Sequence, residues 1–393
     1  MSVHGRAGAW DAEVLVLGAG AWGSMAAWRL AAAGHRVVML ERFASPHAEG
    51  SSHGRTRLFR TACLEHPGLT AIAQRSLQLY RELEARSGAA IVDLCGGLTV
   101  GPADGIAVPG VLAAADAARL DVETLERDAI AERFPFHGAL AADDVGVLDP
   151  LSGVLRIETA VGEALAAATA LGVSIRSGVT VQAITAIPGG VRVETDRGSF
   201  RAPKVVAALG SWTSTVLPEV PLRLTRMPMT WFAPRPGAAG APAALDAAGV
   251  FIREMGVGGG YWGHGASDGD LAKVGPRGAV ARGDEPSVDG LDRIFRDLDG
   301  DPSLDAVERF LPSLDPRVAE GYVCHSTRTP DEQFVLGPLP SMPDVIVAAG
   351  ESGHGGKHAA GVGDIAAALA TDRAIDLDLD FLRPERFALA GAG

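Results

Sequence analysis

The chain has 393 residues, and at roughly 100–200 residues per domain this length predicts two domains. Hydrophobic residues make up 47% and charged residues 21%, which excludes a disordered chain and leaves ample apolar material for a buried core. The formal net charge of −13 argues against general nucleic-acid binding, because such binding needs a basic surface.

The first predicted elements make a βαβ unit near the N-terminus. Val14–Leu17 is a short apolar run of the buried-strand type, and residues 25–33 predict an alanine-rich helix that stops at Gly34. A second apolar run, at residues 37–40, ends at Glu41. Strand, glycine turn, helix and strand within about 30 residues predict two parallel strands joined by a helix.

The middle of the chain alternates loops, helices and short strands. A polar, glycine-rich stretch at residues 45–60 predicts a loop. The elements predicted after it are helices at 70–86 and 158–171, an antiparallel meander of strands at 179–187, 191–195 and 199–201, and a buried strand at 204–209 that leads into Gly210-Ser211-Trp212.

The composition changes at about residue 221, where proline, glycine and aromatic residues become more frequent. Up to about residue 321, this segment contains strand candidates at 229–232 and 261–264 and a polar helix candidate at 291–298. After this segment, the pattern of buried strand, glycine loop and small-residue helix seen near the N-terminus recurs. The strand is predicted at 345–349, the loop at 350–358 and the helix at 359–370. We interpret the middle segment as an insertion that forms a second, sheet-containing domain.

The turn after the first strand reads Gly18-Ala19-Gly20-Ala21-Trp22-Gly23, a Gly-x-Gly-x-x-Gly fingerprint. The motif follows a strand, opens a helix and precedes an acidic strand end, and this context predicts dinucleotide binding. Gly18 makes the tight turn, Gly20 lets the backbone approach a pyrophosphate, and Gly23 lets helix and strand pack closely. The helix N-terminus then receives the pyrophosphate, and Glu41 accepts hydrogen bonds from the adenosine ribose.

The fingerprint alone does not distinguish FAD from NAD. The meander and the C-terminal glycine loop extend the fold, and this extension favours FAD, whose long isoalloxazine end needs additional protein. The loop Gly350-Glu351-Ser352-Gly353-His354-Gly355-Gly356-Lys357-His358 lacks the spacing of a phosphate loop and of a nucleophile elbow. It forms a backbone-rich concavity with one cation, which suits the anionic N1–C2=O edge of a reduced flavin.

These features predict a mixed α/β fold, in which a Rossmann-like FAD-binding domain carries an inserted sheet-containing substrate domain. We assign residues 11–90, 151–218 and 322–385 to the discontinuous FAD-binding domain. Residues 91–150 and 219–321 are assigned to the substrate or catalytic domain.

Cys63, Cys95 and Cys324 are too few and too widely spaced for a disulfide framework. No Cys-x-x-Cys pair is present, so we predict no metal site. The N-terminal residues lack the apolar core of a signal peptide, and no run reaches the roughly 18–20 apolar residues of a membrane span. These observations predict a cytoplasmic protein that binds neither membranes nor nucleic acid.

Four segments together resemble the monomeric sarcosine oxidase and N-methyltryptophan oxidase family, within the D-amino-acid-oxidase-like flavoproteins. They are the fingerprint with Glu41 and the runs Pro46-His47-Ala48-Glu49-Gly50-Ser51-Ser52-His53-Gly54-Arg55-Thr56-Arg57-Leu58-Phe59-Arg60, Val323-Cys324-His325-Ser326-Thr327-Arg328-Thr329-Pro330-Asp331-Glu332-Gln333-Phe334 and Gly353-His354-Gly355-Gly356-Lys357. The resemblance covers about residues 12–370. It implies an FAD enzyme that acts on CH–NH bonds, with a small-molecule amine and molecular oxygen as its partners.

The resemblance implies roles for individual residues. Cys324 corresponds to the cysteine that carries the flavin through a thioether at the 8α-methyl group, and Arg57 corresponds to the arginine against the flavin ring. Arg60 and Lys357 correspond to the cations that bind the substrate carboxylate, which bidentate pairing orients. Lys273 corresponds to the lysine implicated in oxygen activation, where a fixed cation stabilises superoxide.

Three residues are expected to be catalytic, namely Lys273, Arg57 and His53. His53 corresponds to a histidine near the flavin face, and a loop histidine bonded to backbone is an equal alternative. Cys63 and Cys95 are interpreted as inert cysteines. The expected cofactor-binding residues are Gly18, Gly20, Trp22, Gly23, Glu41, Arg42, Ser51, His53, Arg57, Val179, Gly210, Trp212, Cys324, Gly353, Gly355, Gly356 and Lys357.

The expected substrate pocket departs from the family pattern. Ser326 stands two positions after the flavin cysteine, where the sarcosine enzymes have an aromatic residue. Trp262 stands in place of a tyrosine, and Arg277 in place of a histidine. We expect Ser326 and Trp262 to contact the substrate together with Arg60 and Lys357. Because these changes open one wall of the expected substrate pocket, the resemblance does not identify sarcosine as the substrate.

The expected reaction has two halves. A secondary amino acid (N-methyl or cyclic) or a related amine transfers a hydride equivalent to flavin N5 and becomes an imine, and oxygen is then reduced to hydrogen peroxide. One alternative is a dehydrogenase of the same fold that oxidises a cyclic imino acid or another biosynthetic amine with a different acceptor. A non-catalytic dinucleotide-binding protein and a nicotinamide-dependent dehydrogenase are further alternatives. The oligomeric state stays open, with a monomer among the options.

Overall fold

The computed structural model of the chain describes residues 10–235, 243–256, 259–267, 271–277, 283–285 and 287–391. Its α-helices are α1 Ala21–Ala32, α2 Leu69–Ser87, α3 Ala107–Ala118, α4 Arg127–Arg133, α5 Ile157–Ala170, α6 Thr213–Val216, α7 Leu245–Ala248, α8 Asp297–Phe310 and α9 Ala359–Ala370. Its strands are β1 Val14–Leu17, β2 Val37–Glu41, β3 Thr56–Phe59, β4 Val92–Asp93, β5 Gly97–Pro102, β6 Glu123–Glu126, β7 Asp144–Asp149, β8 Gly153–Arg156, β9 Ser174–Ser177, β10 Val181–Ile187, β11 Gly190–Thr195, β12 Gly198–Ala202, β13 Lys204–Ala207, β14 Arg223–Pro234, β15 Val250–Glu254, β16 Gly260–His264, β17 Ala272–Arg277, β18 Gly283–Glu285, β19 Leu314–Arg328, β20 Val335–Leu339 and β21 Met342–Ala349.

A six-stranded sheet joins the N-terminal and C-terminal parts of the chain. Its strand order is β20-β21-β13-β1-β2-β9. β1 lies between β2 and β13, and every pair is parallel except β20 with β21. Such open, mostly parallel sheets bind ligands beyond the carboxyl ends of their strands.

Both faces of this sheet are covered. Alternate residues of β1 face a core shared with helices α1, α2, α5 and α9 on one side and a core shared with the meander β10–β12 on the other. Helices α1 and α9 approach closely because Gly363 has no side chain, and a Cβ there would lie 2.5 Å from the Cβ of Met25. Burial on both faces explains why these strands are continuous apolar runs in the sequence.

A second sheet is built from the middle of the chain, with strand order β18-β14-β17-β16-β15-β5-β7-β6 and with β19 also paired to β14. The β14–β19 pairing places Cys324 opposite Met227, and the β14–β17 pairing places Lys273 opposite Trp231. The β16–β17 pairing places Trp262 opposite Gly275. Because opposed residues share a face and side chains alternate along a strand, Cys324, Lys273 and Trp262 lie on one face of this sheet.

The predicted loop at residues 45–60 is wrong at its C-terminal end, which forms strand β3. β3 pairs antiparallel with β8 in the small sheet β3-β8-β4, and Arg57 lies opposite Leu155. No local pattern marks this strand, because its partner lies far away along the chain. The pairing matters for the site because it fixes the backbone from which Arg57 projects.

The predicted polar helix at residues 291–298 is also wrong, because helix α8 begins only near the end of that segment. The guanidinium of Arg226 donates to the carbonyl oxygens of Asp292 at 2.9 Å and Ile294 at 2.8 Å. These bonds hold the segment extended against β14 and occupy carbonyls that a helix would need. Asp299 accepts a backbone N–H at 2.8 Å and caps the start of α8.

The remaining predicted elements are present with small shifts at their ends, and the mixed α/β fold class is confirmed. Helix α1 begins within the fingerprint, at Ala21 rather than at Met25, and α9 spans residues 359–370 as predicted. The domain boundaries stay a prediction. In the described ranges, no helix combines the length and apolarity that crossing a membrane requires.

Candidate functional site

A cavity of about 370 Å³ runs along the carboxyl ends of the parallel strands β1, β2, β13 and β21. Its lining includes Gly18 just after β1, Glu41 at the end of β2, Ala208 after β13 and Gly350 after β21. Because parallel strands all end at one edge of the sheet, four segments that are distant in sequence meet there. This edge is where open α/β sheets bind their ligands.

Glycines close the turn between β1 and α1. Gly18 has a φ of +95°, and a Cβ there would lie 2.3 Å from the carbonyl oxygen of Ala208. A Cβ on Gly23 would lie 1.9 Å from the carbonyl oxygen of Gly18. Gly18 and Gly20 line the cavity, whereas Gly23 lets α1 pack against the turn. The N-terminus of α1 therefore presents bare backbone to the cavity, which suits an anionic group.

Glu41 is the acidic group on the cavity wall. Its Oε2 accepts the backbone N–H of Ala19 at 2.6 Å, and its Oε1 accepts that of Phe43 at 2.8 Å. Nε2 of His47 lies 3.4 Å from Oε1. Although burial raises the pKa of Glu41, the hydrogen bonds from His47 and from the backbone hold it below its usual value. Glu41 is thus an ionised acceptor with lone pairs left for ribose hydroxyls.

Aromatic and charged side chains close the cavity beside Glu41. Nη1 of Arg42 pairs with Oδ1 of Asp289 at 2.9 Å, and the indole N–H of Trp212 donates to the same oxygen at 3.3 Å. The guanidinium carbon of Arg42 lies 5.6 Å from the Trp212 ring centroid. These flat surfaces, together with the side chain of Val179, suit a planar ring such as adenine.

Another part of the cavity wall is formed by Cys324 and Arg57. Nη2 of Arg57 lies 3.8 Å from Sγ of Cys324 and donates to two loop carbonyls, each at 2.7 Å. The loop carbonyls thus fix the guanidinium of Arg57 beside the sulfur of Cys324. The other two cysteines do not line the cavity, and burial raises the pKa of Cys63 to about 12 and that of Cys95 to about 11.

Lys273 lies next to Trp262, which lines the cavity. Its ammonium group donates to two backbone carbonyls at 3.2 and 2.9 Å and lies 4.6 Å from the ring centroid of Trp231 and 6.0 Å from that of Trp262. Burial lowers the pKa of Lys273 well below its usual value, and the charge of Arg57 adds to this shift. The two carbonyls and the two indole faces oppose the shift by favouring the ammonium form.

Arg60 and Lys357 converge on one carboxylate, that of Glu65. Nη2 of Arg60 lies 2.5 Å from its Oε1, and Nζ of Lys357 lies 3.2 Å from the same oxygen. Both cations are buried, and Glu65 is mostly buried. Although burial raises the pKa of Glu65, the charges of Arg60 and Lys357 hold it well below its usual value. The arrangement is a binding geometry for a carboxylate, filled by one of the chain's own side chains.

Most of the predicted site residues line the cavity: Gly18, Gly20, Trp22, Glu41, Arg42, Ser51, Arg57, Val179, Gly210, Trp212, Trp262, Cys324, Ser326, Gly353, Gly355 and Gly356. Gly23, His53, Arg60, Lys273 and Lys357 are not among the lining residues. His53 is buried, and its Nε2 has no hydrogen-bond partner within the described ranges. Burial and the charge of Arg57 lower the pKa of His53 to about 4, so its ring is neutral at pH 7.

Sequence reasoning missed four residues of the site: His47, Ser52, Glu65 and Asp289. Ser52 lines the cavity, and its Oγ accepts the first backbone N–H of α1 at 3.0 Å. The histidine and the serine lie in the loop that carries the resemblance, and Glu65 follows Arg60 by five positions, so local signals existed for them. Nothing in the sequence around Asp289 indicates its contact with Arg42.

The site fits FAD along its length. Arg42 and Trp212 can hold the adenine, Glu41 the ribose and the N-terminus of α1 the pyrophosphate, while Arg57 and Cys324 border the space left for the isoalloxazine. The fold and the site therefore define a flavoprotein oxidoreductase with a dinucleotide-binding sheet.

Comparisons with known proteins identify the family. Residues 13–369 match the family described as FAD dependent oxidoreductase, and the chain belongs to it. The chain is 34% identical over 385 residues to the monomeric sarcosine oxidase of Streptomyces avermitilis, covering 97% of this chain and 99% of that protein. It is 31% identical over 378 residues to the N-methyl-L-tryptophan oxidase of Yersinia pestis, covering 96% of this chain and all of that one.

A solved structure supports the fold. NikD, an unusual amino acid oxidase essential for nikkomycin biosynthesis, superposes with a TM-score of 0.80 at 24% identity, covering 96% of this chain and 98% of that one. The comparisons confirm the predicted family, the Rossmann-like fold and a flavin-dependent oxidoreductase of the CH–NH class. The cofactor is FAD, and the activity belongs to FAD-dependent amino-acid oxidation.

Proposed function

We propose that this protein oxidises a secondary amino acid, N-methyl or cyclic, to an imine and uses oxygen as the electron acceptor. The observation that carries the proposal is the convergence of Arg60 and Lys357 on a single carboxylate. A substrate carboxylate can take the place of the Glu65 carboxylate and is then oriented by two buried cations. A carboxylate fixed in this way positions the neighbouring C–N bond.

In the proposed reaction, the cofactor and the protein have separate tasks. FAD, when bound, supplies the acceptor for a hydride equivalent from the substrate α-carbon and passes the electrons to oxygen, which becomes hydrogen peroxide. Arg60 and Lys357 bind and orient the amino acid. Trp262 and Ser326, which both line the cavity, bound the substrate space and exclude water.

Lys273 has the environment of an oxygen-activating cation. Its ammonium is buried, held by two carbonyls and by the Trp231 ring, and lies beside Trp262 of the cavity wall. A fixed positive charge there stabilises superoxide without the reorganisation that water would need. Arg57 and His53 belong to the same proposal: Arg57 as a cation against the flavin ring, and His53 as a neutral group close to it.

We also propose that Cys324 carries the FAD through a thioether. Of the three cysteines, Cys324 lies in the cavity lining and has Arg57 at 3.8 Å, whereas Cys63 and Cys95 are held as thiols by their raised pKa values. Lys357 and the loop that contains Gly353 and Gly356 complete the cofactor site in this proposal.

The same proposal assigns a function to each of the two predicted domains. Residues 11–90, 151–218 and 322–385 would bind FAD, and residues 91–150 and 219–321 would cover the substrate. In this proposal the enzyme acts on small molecules in the cytoplasm, and the formal net charge of −13 argues against nucleic acid as a partner.

The proposal is tested by a screen of amines with two readouts. Purified enzyme is mixed with N-methyl and cyclic amino acids, with the corresponding primary amino acids and with the decarboxylated amines as controls. Oxygen consumption and hydrogen peroxide are measured together. We expect one peroxide per amine for a secondary amino acid and at least a tenfold lower kcat/KM for its decarboxylated analogue. Flavin reduction without peroxide would instead indicate a dehydrogenase with another acceptor.

A further inference from the structure

Arg277 stands at the end of strand β17, on the face that carries the proposed oxygen-activating lysine. Side chains alternate along a strand, so Lys273, Gly275 and Arg277 project to the same side. Gly275 is covered by the indole of Trp262: a Cβ on Gly275 would lie 2.4 Å from that ring, and the indole N–H donates to the carbonyl oxygen of Pro276 at 3.1 Å. Arg277 therefore follows directly beyond the Trp262 wall of the cavity.

The guanidinium of Arg277 is partly buried, and one of its nitrogens has no partner in the part of the chain that the structure describes. Its Nη1 is buried and makes no hydrogen bond within the described residues, and no carboxylate there forms an ion pair with it. By contrast, Arg253 pairs with Asp144 at 3.2 Å and Arg328 pairs with Glu332 at 2.6 Å. A buried N–H group without an acceptor costs free energy, and a ligand that accepts from Nη1 of Arg277 would remove that cost.

The carboxylates around Arg277 are already engaged. Burial lowers the pKa of Arg277 below its usual value; the charge of Glu254 opposes this shift, the charge of Arg60 adds to it, and the charge of Glu65 opposes it. Glu254 accepts the backbone N–H groups of Ile106 and Ala107 at 2.7 to 3.0 Å. Glu65 binds Arg60 and Lys357, as described above. Within the described residues, the two carboxylates whose charges act on Arg277 are thus bound to other groups.

We propose that Arg277 binds a second anionic group of the substrate, so that the preferred substrates are N-substituted amino acids with an acidic side chain. This proposal rests on the proposed function, in which Arg60 and Lys357 take the α-carboxylate. Lys273 and Arg277 are four residues apart, roughly 13 Å along a strand at about 3.3 Å per residue. Arg277 is therefore placed to reach the side-chain end of the substrate rather than the reacting carbon.

The test compares substrates that differ in one charge but hardly in shape. For wild type and for Arg277→Gln, kcat/KM is measured with N-methyl-L-glutamate and N-methyl-L-glutamine and with the aspartate and asparagine pair. Hydrogen bonds to charged groups give a preference of roughly 10- to 100-fold for an acid over its amide in wild type. In Arg277→Gln, the ratio of acid to amide should fall to about one. Arg277→Lys should keep part of the preference, because it keeps the charge but not the guanidinium fork.

Two controls separate folding from recognition. Arg317→Gln removes an arginine whose side chain is 83% exposed, and it should keep the wild-type ratio. Visible absorbance of the flavin and the Tm of each variant show whether Arg277→Gln folds and retains its cofactor. Equal kcat/KM values for acid and amide in wild type, or an equal loss for both in Arg277→Gln, would overturn the proposal and indicate that Arg277 supports the protein itself.

A binding measurement keeps this inference distinct from the oxidase proposal. Glutarate and butyrate are titrated against the holoenzyme, and their Kd values are read from the change in flavin absorbance. Tighter binding of glutarate, lost in Arg277→Gln, supports a second anion site even if none of the tested amines is oxidised. Equal Kd values for the two acids contradict it, even if N-methyl amino acids are turned over rapidly.

Discussion

The adenosine side and the flavin side of the cavity are built in different ways. On the proposed adenosine side, backbone N–H groups of one turn, Glu41 and a few neighbouring side chains would bind the cofactor, and most come from β1, α1 and β2. On the proposed flavin side, the groups to which we assign functions are side chains from four distant segments: Arg57 on β3, Lys273 on β17, Cys324 on β19 and Lys357 after β21. In this proposal, adenosine binding relies on backbone geometry, whereas the chemistry relies on side chains that long-range contacts bring together.

Because of this difference, substitutions on the two sides of the cavity should have different effects. On the proposed flavin side, Cys324 and Lys273 are each assigned a separate task, so replacing one of them should affect one step and leave the others. On the adenosine side several weak contacts share one task, so the loss of one contact should have a graded and small effect.

Replacing Cys324 should give an all-or-none result. In Cys324→Ser we expect the precipitate formed in acid to be colourless, with all FAD released, because the substitution removes the sulfur of the proposed thioether. The wild-type precipitate should stay yellow. Cys95→Ser, which changes a cysteine outside the cavity lining, is the matched control and should keep its colour. Flavin retained on precipitated Cys324→Ser would remove this assignment.

Replacing Lys273 should separate the two half-reactions. In Lys273→Met we expect reoxidation by oxygen to slow by about 10²- to 10³-fold, since a preorganised charge at the site of developing charge is lost. Anaerobic reduction by substrate should change by less than about tenfold, and stopped-flow absorbance measures both. Lys204→Met, at the amino end of β13, is the control and should leave both rates unchanged. Equal slowing of the two steps would refute the oxygen role.

The lowered pKa of Lys273 predicts a pH dependence of reoxidation. A lysine carries its charge below its pKa and loses it above, and burial brings this loss to a lower pH than usual. The rate constant for reoxidation should therefore fall as pH rises, with its midpoint below the ordinary lysine value. Stopped-flow reoxidation across the pH range checks this for wild type and for Lys273→Met. A similar pH profile in both proteins would show that another group titrates.

Replacing Glu65 should lower the stability of the protein and raise its affinity for a carboxylate substrate. Glu65→Gln leaves Arg60 and Lys357 without their anion, so the free energy of unfolding should fall by about 3–5 kcal/mol, as for other broken buried pairs. The KM for a carboxylate substrate should fall roughly tenfold, because the substrate no longer competes with an internal carboxylate. Denaturant unfolding and steady-state kinetics measure the two effects. A raised KM at unchanged stability would contradict this account.

The smallest effect is expected on the adenosine side. Asp289→Asn weakens the contacts with Arg42 and Trp212, which are partly exposed. Such pairs contribute about 0.2–1 kcal/mol, so FAD affinity of the Cys324→Ser background should fall by no more than about fivefold. Fluorescence titration of the apoprotein with FAD gives the value. A fall of a hundredfold or more would mean that this side, too, depends on single side chains.

The sequence predicted the two sides unequally, for the same physical reason that distinguishes them. The fingerprint, Glu41 and the apolar strands are local patterns, and they predicted four of the six strands of this sheet, β1, β2, β13 and β21, together with the turn that faces the ligand edge. The outer strands β9 and β20 were not predicted. The strand that carries Arg57 could not be predicted, because its partner β8 lies far along the chain. Likewise, the segment at residues 291–298 is held extended by Arg226, a contact that no local periodicity reveals.

The resemblance to the family predicted which residues lie on the proposed flavin side, but it did not predict what those residues contact. Arg60 and Lys357 were predicted to bind a substrate carboxylate, and the structure shows both bound to Glu65. Lys273 was predicted as an oxygen-side cation, and its carbonyl and indole contacts could be found only from the sheet register. Packing between distant strands sets these contacts, and no motif encodes it.

The central claim is that FAD held in this cavity accepts electrons from a secondary amino acid. An anaerobic titration of the purified yellow protein with an N-methyl amino acid tests it most directly. We predict that one equivalent of substrate bleaches the flavin absorbance and that admitting air restores it with release of one equivalent of hydrogen peroxide. A protein that is colourless and takes up no FAD, or whose flavin stays oxidised with every N-methyl and cyclic amino acid, would contradict the account.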